Sequence, residues 1–580
     1  MSLRNCSDPL GPMRSSVPIP TPTVIAHFLV GGHRSARHVP PECCERSSEH
    51  ALYRITVESG DDACPTHVGA EVRLPADEAW CLNAARALAS VHGEVRPPWP
   101  VGCFAVLRQG KTFFQVSFSP NAHFRLRRDR NNLIARFVLR DRKRCGLRLW
   151  GEHKLHPSPG RNAFGIMICR LDQPDDAVWV EPFPRAARSV VCLTDHPDWD
   201  SVAKVTALGE LFERHDIRIT KGVFPVADAG FSRYGPGLNV PEYAALIDRW
   251  SEAGHEIAFH GIGSCGEITG LDADECIRRI DRLFRYRPET WIDHGSGQYA
   301  FARAGRLPGG LDLLAVLCDR GIRNFWSFGD AWQNPADHLD IWHRRSVAGS
   351  FADFARLARR RGTTQLKELA YLGTIPLKNM AGIAQYLRLL RRPWSVAEWK
   401  AVARNYRLLR EINTDPFYLY DLGGNFALQN PDGTWVFDTI LLNHLALQLC
   451  PSSIDRLVEC GGILIAHVYL GAVHAYGGRN CFHVRSEAEF LPAFREDMEH
   501  IGELQKRADL ITLPFRDLRR ALVGHARSRV VRCEGRWQIM CDAVVCSRRP
   551  FRIDGRAATP NREGVFSANV HGTTILQHAK

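Results

Sequence analysis

The sequence predicts an α/β fold built on a parallel sheet, and two observations lead to that prediction. From residue 189 onward, apolar runs of strand character alternate with amphipathic runs of helical period, a pattern typical of parallel strands joined by helices. A hydrophobic content of 45% in 580 residues also gives enough length and apolar surface for several globular domains. Such an array closes as a barrel or opens as a doubly wound sheet, and in both cases ligands lie at the carboxyl ends of the strands.

The predicted strands and helices alternate in chain order. They are strand SVVCLTDH, helix SVAKVTALGELFERHD, strand IRITKGVFPV, helix PEYAALIDRWSEAG, strand HEIAFH, helix DADECIRRIDRLFRY, strand TWIDHG, helix GLDLLAVLCDRG and strand IRNFWSF. An Arg-rich helical insertion is predicted at about 350–412. Helix FDTILLNHLALQL, strand GILIAHVYL, helix AEFLPAFREDMEHIGELQKR and strand LITLPF then resume the alternation. The strands are short apolar runs, whereas the helices carry apolar residues every three or four positions.

The segments that flank this array differ from it in composition. Residues 1–48 are rich in Pro, Ser and Arg without sustained periodicity, which predicts a disordered lead-in. Residues 49–185 contain short β-prone runs between charged or Gly/Pro/Asn turns, as in an antiparallel β domain. Residues 525–580 predict a small β module. The array with its insertion therefore occupies residues 186–524.

Composition also narrows the location and the partners of the protein. The net charge of +12 is spread along the chain, and the sequence has no P-loop, RNA-binding aromatic signature or zinc-finger spacing, so nucleic acid is not expected. No apolar run reaches the roughly 18 residues of a membrane span. The 18 cysteines are scattered without a CxxC pair, as expected in a reducing compartment. Because the first residues lack the apolar core of a signal peptide, the predicted location is cytoplasmic.

Metal-binding and acidic side chains recur at the predicted strand ends. A lone histidine there is usually structural, but several strands that deliver His and Asp to one rim are what a metal-assisted hydrolytic site requires. The residues are Asp195, His196, His260, Asp293, His294, Asp330 and His467.

One stretch, EYAALIDRWSEAGHEIAFHGIGS, resembles the NodB-homology polysaccharide deacetylases, carbohydrate esterase family four. The resemblance covers about 189–520 and implies a distorted parallel (β/α) barrel. LTDHPD is similar to the family motif TFDDG, which implies that Asp195 is the catalytic base and that His196 binds metal. The family's HxxxH motif matches only at His260, since Ser264 stands where the second His belongs, and WIDHG stands where the family has Arg-Pro.

These departures suggest that the metal ligands have changed. We expect zinc to be held by His196, His260 and His294, because catalytic zinc sites accept three histidines. FWSFGDAW resembles the fourth motif and ILIAHVYL the fifth, so the resemblance implies that His467 is the general acid and that Asp330 orients it. Trp326 and Trp332, near the same rim, are the expected sugar-binding aromatics. Asp293 orients His294, supports the base or caps the next helix.

The predicted function is metal-dependent removal of an acetyl group from an N-acetylated sugar or a surface-polysaccharide precursor, since metal, base and acid together make amide hydrolysis feasible. Two alternatives remain open: a catalytically silent relative that binds glycan, and an amidase that acts on a non-sugar C–N bond. Asp198 and Asp200 are predicted to cap the following helix. The Arg-rich insertion is either a solvated helix face or a contact surface for an anionic glycan or a membrane.

Overall fold

The computed structural model describes most of the chain outside one long central segment. The described ranges are 17–30, 33–58, 67–95 except 84, 104–118, 124–141, 161–227, 235–263, 271–294, 307–330, 427–429, 434–442, 445, 449–472, 474–475, 478–479, 481–483, 488–561 and 565–578. The predicted insertion at about 350–412 lies outside these residues.

The N-terminal part consists of two antiparallel sheets that pack face to face. Its strands are β1 (Thr23–Val30), β2 (His33–Val39), β3 (Glu42–Arg46), β4 (His50–Glu58), β5 (His67–Pro75), β6 (Glu78–Leu82), β7 (Leu88–Ser90), β8 (Glu94–Val95), β9 (Phe104–Gln109), β10 (Thr112–Phe118), β11 (Phe124–Asp129), β12 (Asn132–Asp141) and β13 (Arg161–Leu171). Among the described strands, one sheet has the order β2-β1-β5-β12-β11-β8 and the other β3-β4-β13-β10-β9-β6-β7. Alternate residues of β4, Ala51, Tyr53, Ile55 and Val57, are fully buried in the shared core, as the two-residue period of a strand dictates.

Residues 1–48 were predicted to be a disordered lead-in, and the structure corrects this. Residues 1–16 lie outside the described part, but residues 23–46 form β1, β2 and β3. Val24 and Ala26 point into the core. The Pro-rich start of this segment obscured the alternating apolar residues that follow it, and these residues favour a strand, β1, which pairs with both β2 and β5.

The central part carries a mainly parallel sheet. A linking strand, β14 (Val178–Glu181), precedes it. The next strands are β15 (Ser189–Asp195), β16 (Thr220–Val223), β17 (Glu256–Phe259), β18 (Thr290–Trp291), β19 (Asn324–Asp330), β20 (Ala427–Gln429), β21 (Trp435–Leu441), β22 (Ile463–Val468), β23 (His474–Ala475), β24 (Gly478–Arg479) and β25 (Leu510–Thr512). The described order is β16-β17-β18-β19-β21-β22-β15-β25, with a two-residue pairing between β15 and β16 and with β20 antiparallel to β21.

The described helices follow the parallel strands. They are α1 (Val202–Arg214), α2 (Pro241–Glu252), α3 (Ala273–Leu283), α4 (Leu313–Asp319), α5 (Pro451–Cys460), α6 (Pro492–Lys506) and α7 (Phe515–Arg527). Short 3-10 turns lie at Pro174–Asp176, Pro184–Ala186, Phe284–Tyr286 and Pro308–Gly310. Helix α1 buries Val205, Leu208, Leu211 and Phe212 against the sheet, which is the three-to-four-residue spacing of an amphipathic helix. None of the helices in the described ranges combines the length and the apolar character that a membrane crossing requires.

The C-terminal part adds a further antiparallel sheet. Its strands are β26 (Arg529–Cys533), β27 (Arg536–Ser547), β28 (Phe551–Ile553), β29 (Arg556–Ala557), β30 (Thr559–Pro560) and β31 (Phe566–His578). Strand β14 pairs with β27, so the described sheet runs β14-β27-β31-β28-β29. The division of the chain into separate domains remains a prediction.

The predicted fold class, α/β with a distorted (β/α) barrel of the NodB-homology type, is wrong. Strands predominate over helices in the described residues, and three of the larger sheets are antiparallel. The prediction gave most weight to residues 189–520, whereas β-prone segments on both sides supply most of the strand residues. The run FDTILLNHLALQL, predicted to be a helix, begins within strand β21, where Trp435, Val436 and Phe437 favour a strand.

Candidate functional site

Four histidines meet at the carboxyl ends of the parallel strands. His196 follows β15, His260 follows β17, His294 lies beyond β18 and His467 belongs to β22. The ring of His196 stacks on that of His467 with centroids 3.7 Å apart and lies 4.5 Å from that of His260. The rings of His260 and His294 are 4.9 Å apart. All four side chains are buried, so the structure places His196, His260 and His294 in one cluster.

Asp198 completes this cluster. Its Oδ2 lies 3.2 Å from His260 Nε2, and its Oδ1 lies 3.6 Å from His294 Nε2. One ligand atom from each of His196, Asp198 and His260 lies within 4.8 Å of the other two. The prediction that Asp198 caps a helix is therefore wrong, since Ser201 is the N-cap of α1 and accepts a hydrogen bond from the backbone N–H of Lys204.

The protonation states of this cluster follow from its burial. Burial lowers the pKa of His260 to about 4, although Asp198 opposes the shift. Burial and the neighbouring histidines hold the pKa of His196 well below its ordinary value. Burial alone would raise the pKa of Asp198, but hydrogen bonds from His260 and His294 outweigh it and lower that pKa. Near neutral pH His196 and His260 are thus neutral imidazoles, and Asp198 is a carboxylate.

A second buried cluster lies beside the histidines and centres on Lys221 of β16. Its Nζ lies 2.5 Å from Asp195 Oδ2 and 2.7 Å from Asp200 Oδ2, and all three side chains have zero exposure. Tyr243 donates a hydrogen bond to Asp200, and the backbone N–H of Leu470 donates to Asp195 Oδ1. Both oxygens of Asp195 therefore have protein partners. One of these partners, Lys221, lies in β16, a strand for which the sequence predicted no functional residue.

Burial sets the electrostatics of this second cluster as well. It raises the pKa of Asp200 to about 7 even though Lys221 acts in the opposite direction. Burial would lower the pKa of Lys221, but the two carboxylates outweigh it and raise that pKa. Lys221 is therefore a permanent cation, and Asp195 and Asp200 are tied to it. Because these two residues flank positions 196–199, the cluster fixes both ends of the segment that carries His196 and Asp198.

The remaining predicted site residues are Asp293, Trp326, Trp332 and Asp330. Asp293 accepts a hydrogen bond from Trp291 Nε1 at 3.0 Å. Trp326 is only 4% exposed, stands edge-on to His196 and His467, and donates from Nε1 to Thr439. Trp326 thus packs beneath the histidines instead of facing solvent. Trp332, Ser264 and the side chain of Asp330 lie outside the described residues.

An exposed aromatic residue at this rim was missed by the sequence analysis. Trp199 is 37% exposed, has a φ of 65° and stands edge-on to Tyr469 with centroids 5.5 Å apart. A bulky residue with positive φ is rare and is found preferentially at functional sites. The ring of Tyr469 in turn lies 4.7 Å from that of His467. In the sequence, only its position between Asp198 and Asp200 could have indicated that Trp199 belongs to the site.

Comparisons with known proteins give no family. No family model and no curated protein matches the chain. Solved structures similar to it include a Kfla1895 variant in complex with cyclobis-(1->6)-alpha-nigerosyl, 10% identical, covering 97% of this chain and 95% of that one, with a TM-score of 0.27. A cycloalternan-degrading enzyme from Trueperella pyogenes is 8% identical, covering 97% and 94%, with a TM-score of 0.20. A GH31 family sulfoquinovosidase from E. rectale is 9% identical, covering 48% and 55%, with a TM-score of 0.19.

These findings correct the predicted family and reaction. No model of the NodB-homology deacetylases matches, and the structural neighbours are enzymes of other kinds. The prediction of an amide-cleaving deacetylase is therefore contradicted. The resemblance rested on one helix–strand segment and on single-residue matches elsewhere, and such short patterns recur in unrelated folds. At these TM-scores the neighbours do not assign a function in place of the one that is withdrawn.

Proposed function

We propose that the chain binds one divalent metal ion, zinc, through His196, Asp198 and His260, and uses it to activate water for hydrolysis of a carbohydrate substrate. The convergence of three ligand atoms within 4.8 Å carries this proposal. In addition, Nε2 of His196 is buried and has no hydrogen-bond partner among the described residues. Buried polar atoms normally have a partner, so the orphaned nitrogen fits a site for an ion. Two imidazoles and a carboxylate are ligands that catalytic zinc accepts.

The protein groups around these ligands provide orientation and proton transfer. Nδ1 of His260 lies 3.1 Å from the carbonyl oxygen of Ile292, which fixes the ring so that Nε2 faces Asp198. His294 lies on the other oxygen of Asp198 and holds that carboxylate in place. When bound, zinc supplies a Lewis acid that lowers the pKa of water to about 7. His467, stacked on His196, is the side chain placed to take up or release a proton beside it.

A carbohydrate is the substrate class that the exposed rim favours. Trp199, next to Asp198, is 37% exposed and stands edge-on to the buried ring of Tyr469. An amphipathic aromatic surface of this kind suits a ligand with apolar ring faces and polar edges. Trp199 is therefore the residue that we expect to contact substrate, in place of the buried Trp326.

Zinc binding to variants of the purified protein tests the proposal. Chelator-stripped protein is titrated with zinc, and stoichiometry and affinity are measured by competition with a chromogenic chelator. We expect one zinc per chain. His260→Ala and Asp198→Asn should each weaken binding by more than about 100-fold, since even residues that only orient a ligand are worth 10–100-fold.

His255 provides a matched control on the same strand. It is a buried histidine at the opposite end of β17, where its Nδ1 accepts a hydrogen bond from the backbone N–H of Ile219. His255→Asn should bind zinc like the wild type. A wild-type protein that retains no zinc, or a His260→Ala variant that binds it undiminished, would show the metal site to be wrong. Zinc-dependent turnover is then measured with p-nitrophenyl glycosides, carboxylic esters and phosphodiesters. No turnover of any of the three would refute the hydrolytic role but not the metal site.

A further inference from the structure

A cavity that shares no lining residue with the histidine cluster is built largely from both flanking β regions. Its volume is about 380 Å³, and strands β4, β9, β10, β13, β14, β26 and β27 contribute to its walls together with the end of α7. This size lies within the range of small-molecule sites, about 300–1,000 Å³. Among the described residues that line it, none carries a carboxylate.

Aromatic side chains form the floor of this cavity. Phe104, Phe164 and Trp179 line it and are each only 4% exposed. The rings of Phe104 and Trp179 lie 6.1 Å apart at 50°. Nε1 of Trp179 donates to Glu181 Oε1, and Glu181 is itself held by Arg86 through two hydrogen bonds. The indole plane is thereby fixed, which leaves its face as a rigid apolar wall.

The mouth of the cavity is cationic. Arg54 and Arg527 line it, are exposed, and have no carboxylate partner among the described residues, whereas Arg529 at the same mouth is paired with Glu45. Burial lowers the pKa of the lining His525 to about 4, so this histidine adds no charge near neutral pH. Met540 adds an apolar side chain with 47% exposure. Two unpaired guanidinium groups over an apolar floor match a ligand with an anionic head and an apolar body.

We propose that this cavity binds a small organic anion with an aromatic or aliphatic body, the body against Trp179 and Phe104 and the anionic group against Arg54 and Arg527. Isolated surface arginines usually face only water. Here two of them converge on one opening whose described lining has no acidic side chain and which leads to buried aromatic rings. This binding site does not depend on the metal centre.

The experiment uses 1-anilinonaphthalene-8-sulfonate as the anionic probe and N-phenyl-1-naphthylamine as its uncharged analogue. Fluorescence titration of the native protein should show saturable binding of the sulfonate, at least about tenfold tighter than the amine, because only the sulfonate can accept charge-assisted hydrogen bonds from the two guanidinium groups. The double variant Arg54→Glu/Arg527→Glu should lose this preference. The matched control Arg249→Glu/Arg282→Glu, which reverses two exposed charges on α2 and α3, should retain it.

Ala163→Trp provides a second, steric test of location. Ala163 lines the cavity and is exposed, so a bulky side chain there should block both probes without disturbing the core. Equal affinity for the sulfonate and the amine, equal losses in the two double variants, or unchanged binding in Ala163→Trp would each overturn the proposal.

Discussion

Replacing Lys221 by methionine should destabilise the protein strongly. The substitution keeps an unbranched chain of similar length but removes the cation that lies 2.5 Å from Asp195 and 2.7 Å from Asp200 in a site of zero exposure. At least one further carboxyl group must then bind a proton in the folded state. The cost at pH 7 is about three pKa units at about 1.36 kcal/mol each, or about 4 kcal/mol. This agrees with the roughly 3–5 kcal/mol lost when a buried ion pair is broken by removing one partner.

The pH dependence of this loss follows from the same reasoning. In Lys221→Met the folded state holds a proton that the unfolded state releases above about pH 4, since the folded carboxyl pKa is raised. The variant should therefore lose stability relative to wild type as pH rises, by up to about 1.4 kcal/mol per pH unit. Urea unfolding of metal-free protein at pH 5, 6 and 7, followed by near-ultraviolet circular dichroism, measures this.

Two further variants serve as controls for the effect of Lys221→Met on stability. Lys506→Met removes a surface lysine that pairs with Glu503 and is 67% exposed, and it should change stability by less than about 1 kcal/mol. Adding Asp200→Asn to Lys221→Met removes the surplus carboxylate and should recover part of the lost stability, a coupling that a double-mutant cycle isolates. A loss in Lys221→Met no larger than that of Lys506→Met, or one that is independent of pH and not relieved by Asp200→Asn, would refute the reasoning.

Two other predictions concern the same region. Burial lowers the pKa of His255 to about 4, so between pH 4 and about 6.5 the unfolded state binds a proton that the folded state does not. Stability should therefore fall as pH falls, by up to about 3 kcal/mol in total. His255→Asn should flatten this pH dependence of the unfolding free energy between pH 7 and 4, and an unchanged slope would contradict the prediction. A Cβ at Gly471 would lie 2.5 Å from Asp200 Oδ1 and 2.9 Å from the backbone N of Asp200. Gly471→Ala should therefore lower the free energy of unfolding, measured in urea, by about 1–3 kcal/mol, and it should weaken zinc binding. Gly310→Ala, where nothing lies within 4 Å and only a φ of 80° is unfavourable, should cost about 1 kcal/mol and leave zinc binding unchanged.

The local elements of the central part could be predicted because their signals are short-range. The run SVVCLTDH predicted the strand that the structure has at Ser189–Asp195, and PEYAALIDRWSEAG predicted the helix at Pro241–Glu252. Apolar period, a proline at the first helical position and a glycine after the last turn are all readable within a dozen residues. The overall fold class could not be predicted in this way, because sheet pairing joins strands that are far apart in the sequence.

The candidate site was predicted only where a residue type is informative by itself. His196, His260 and His294 were identified because histidines at strand ends are unusual. Asp198 was missed because its partners lie 62 residues away or more, whereas the nearby helix start offered a local explanation for an aspartate. Lys221 was missed for a related reason, since a lysine in a strand normally indicates an exposed position.

The salt bridges of Lys221 also separate the assembly of the site from the uptake of metal. Many small zinc proteins fold only when the ion arrives, since the ligands are otherwise held by nothing. In this chain the segment between Asp195 and Asp200 is tied down at both ends by protein charges, so His196 and Asp198 are already in place when the backbone has folded. Metal binding then carries little cost of ordering. We therefore expect a chelator to leave behind a folded apoprotein that reloads rapidly.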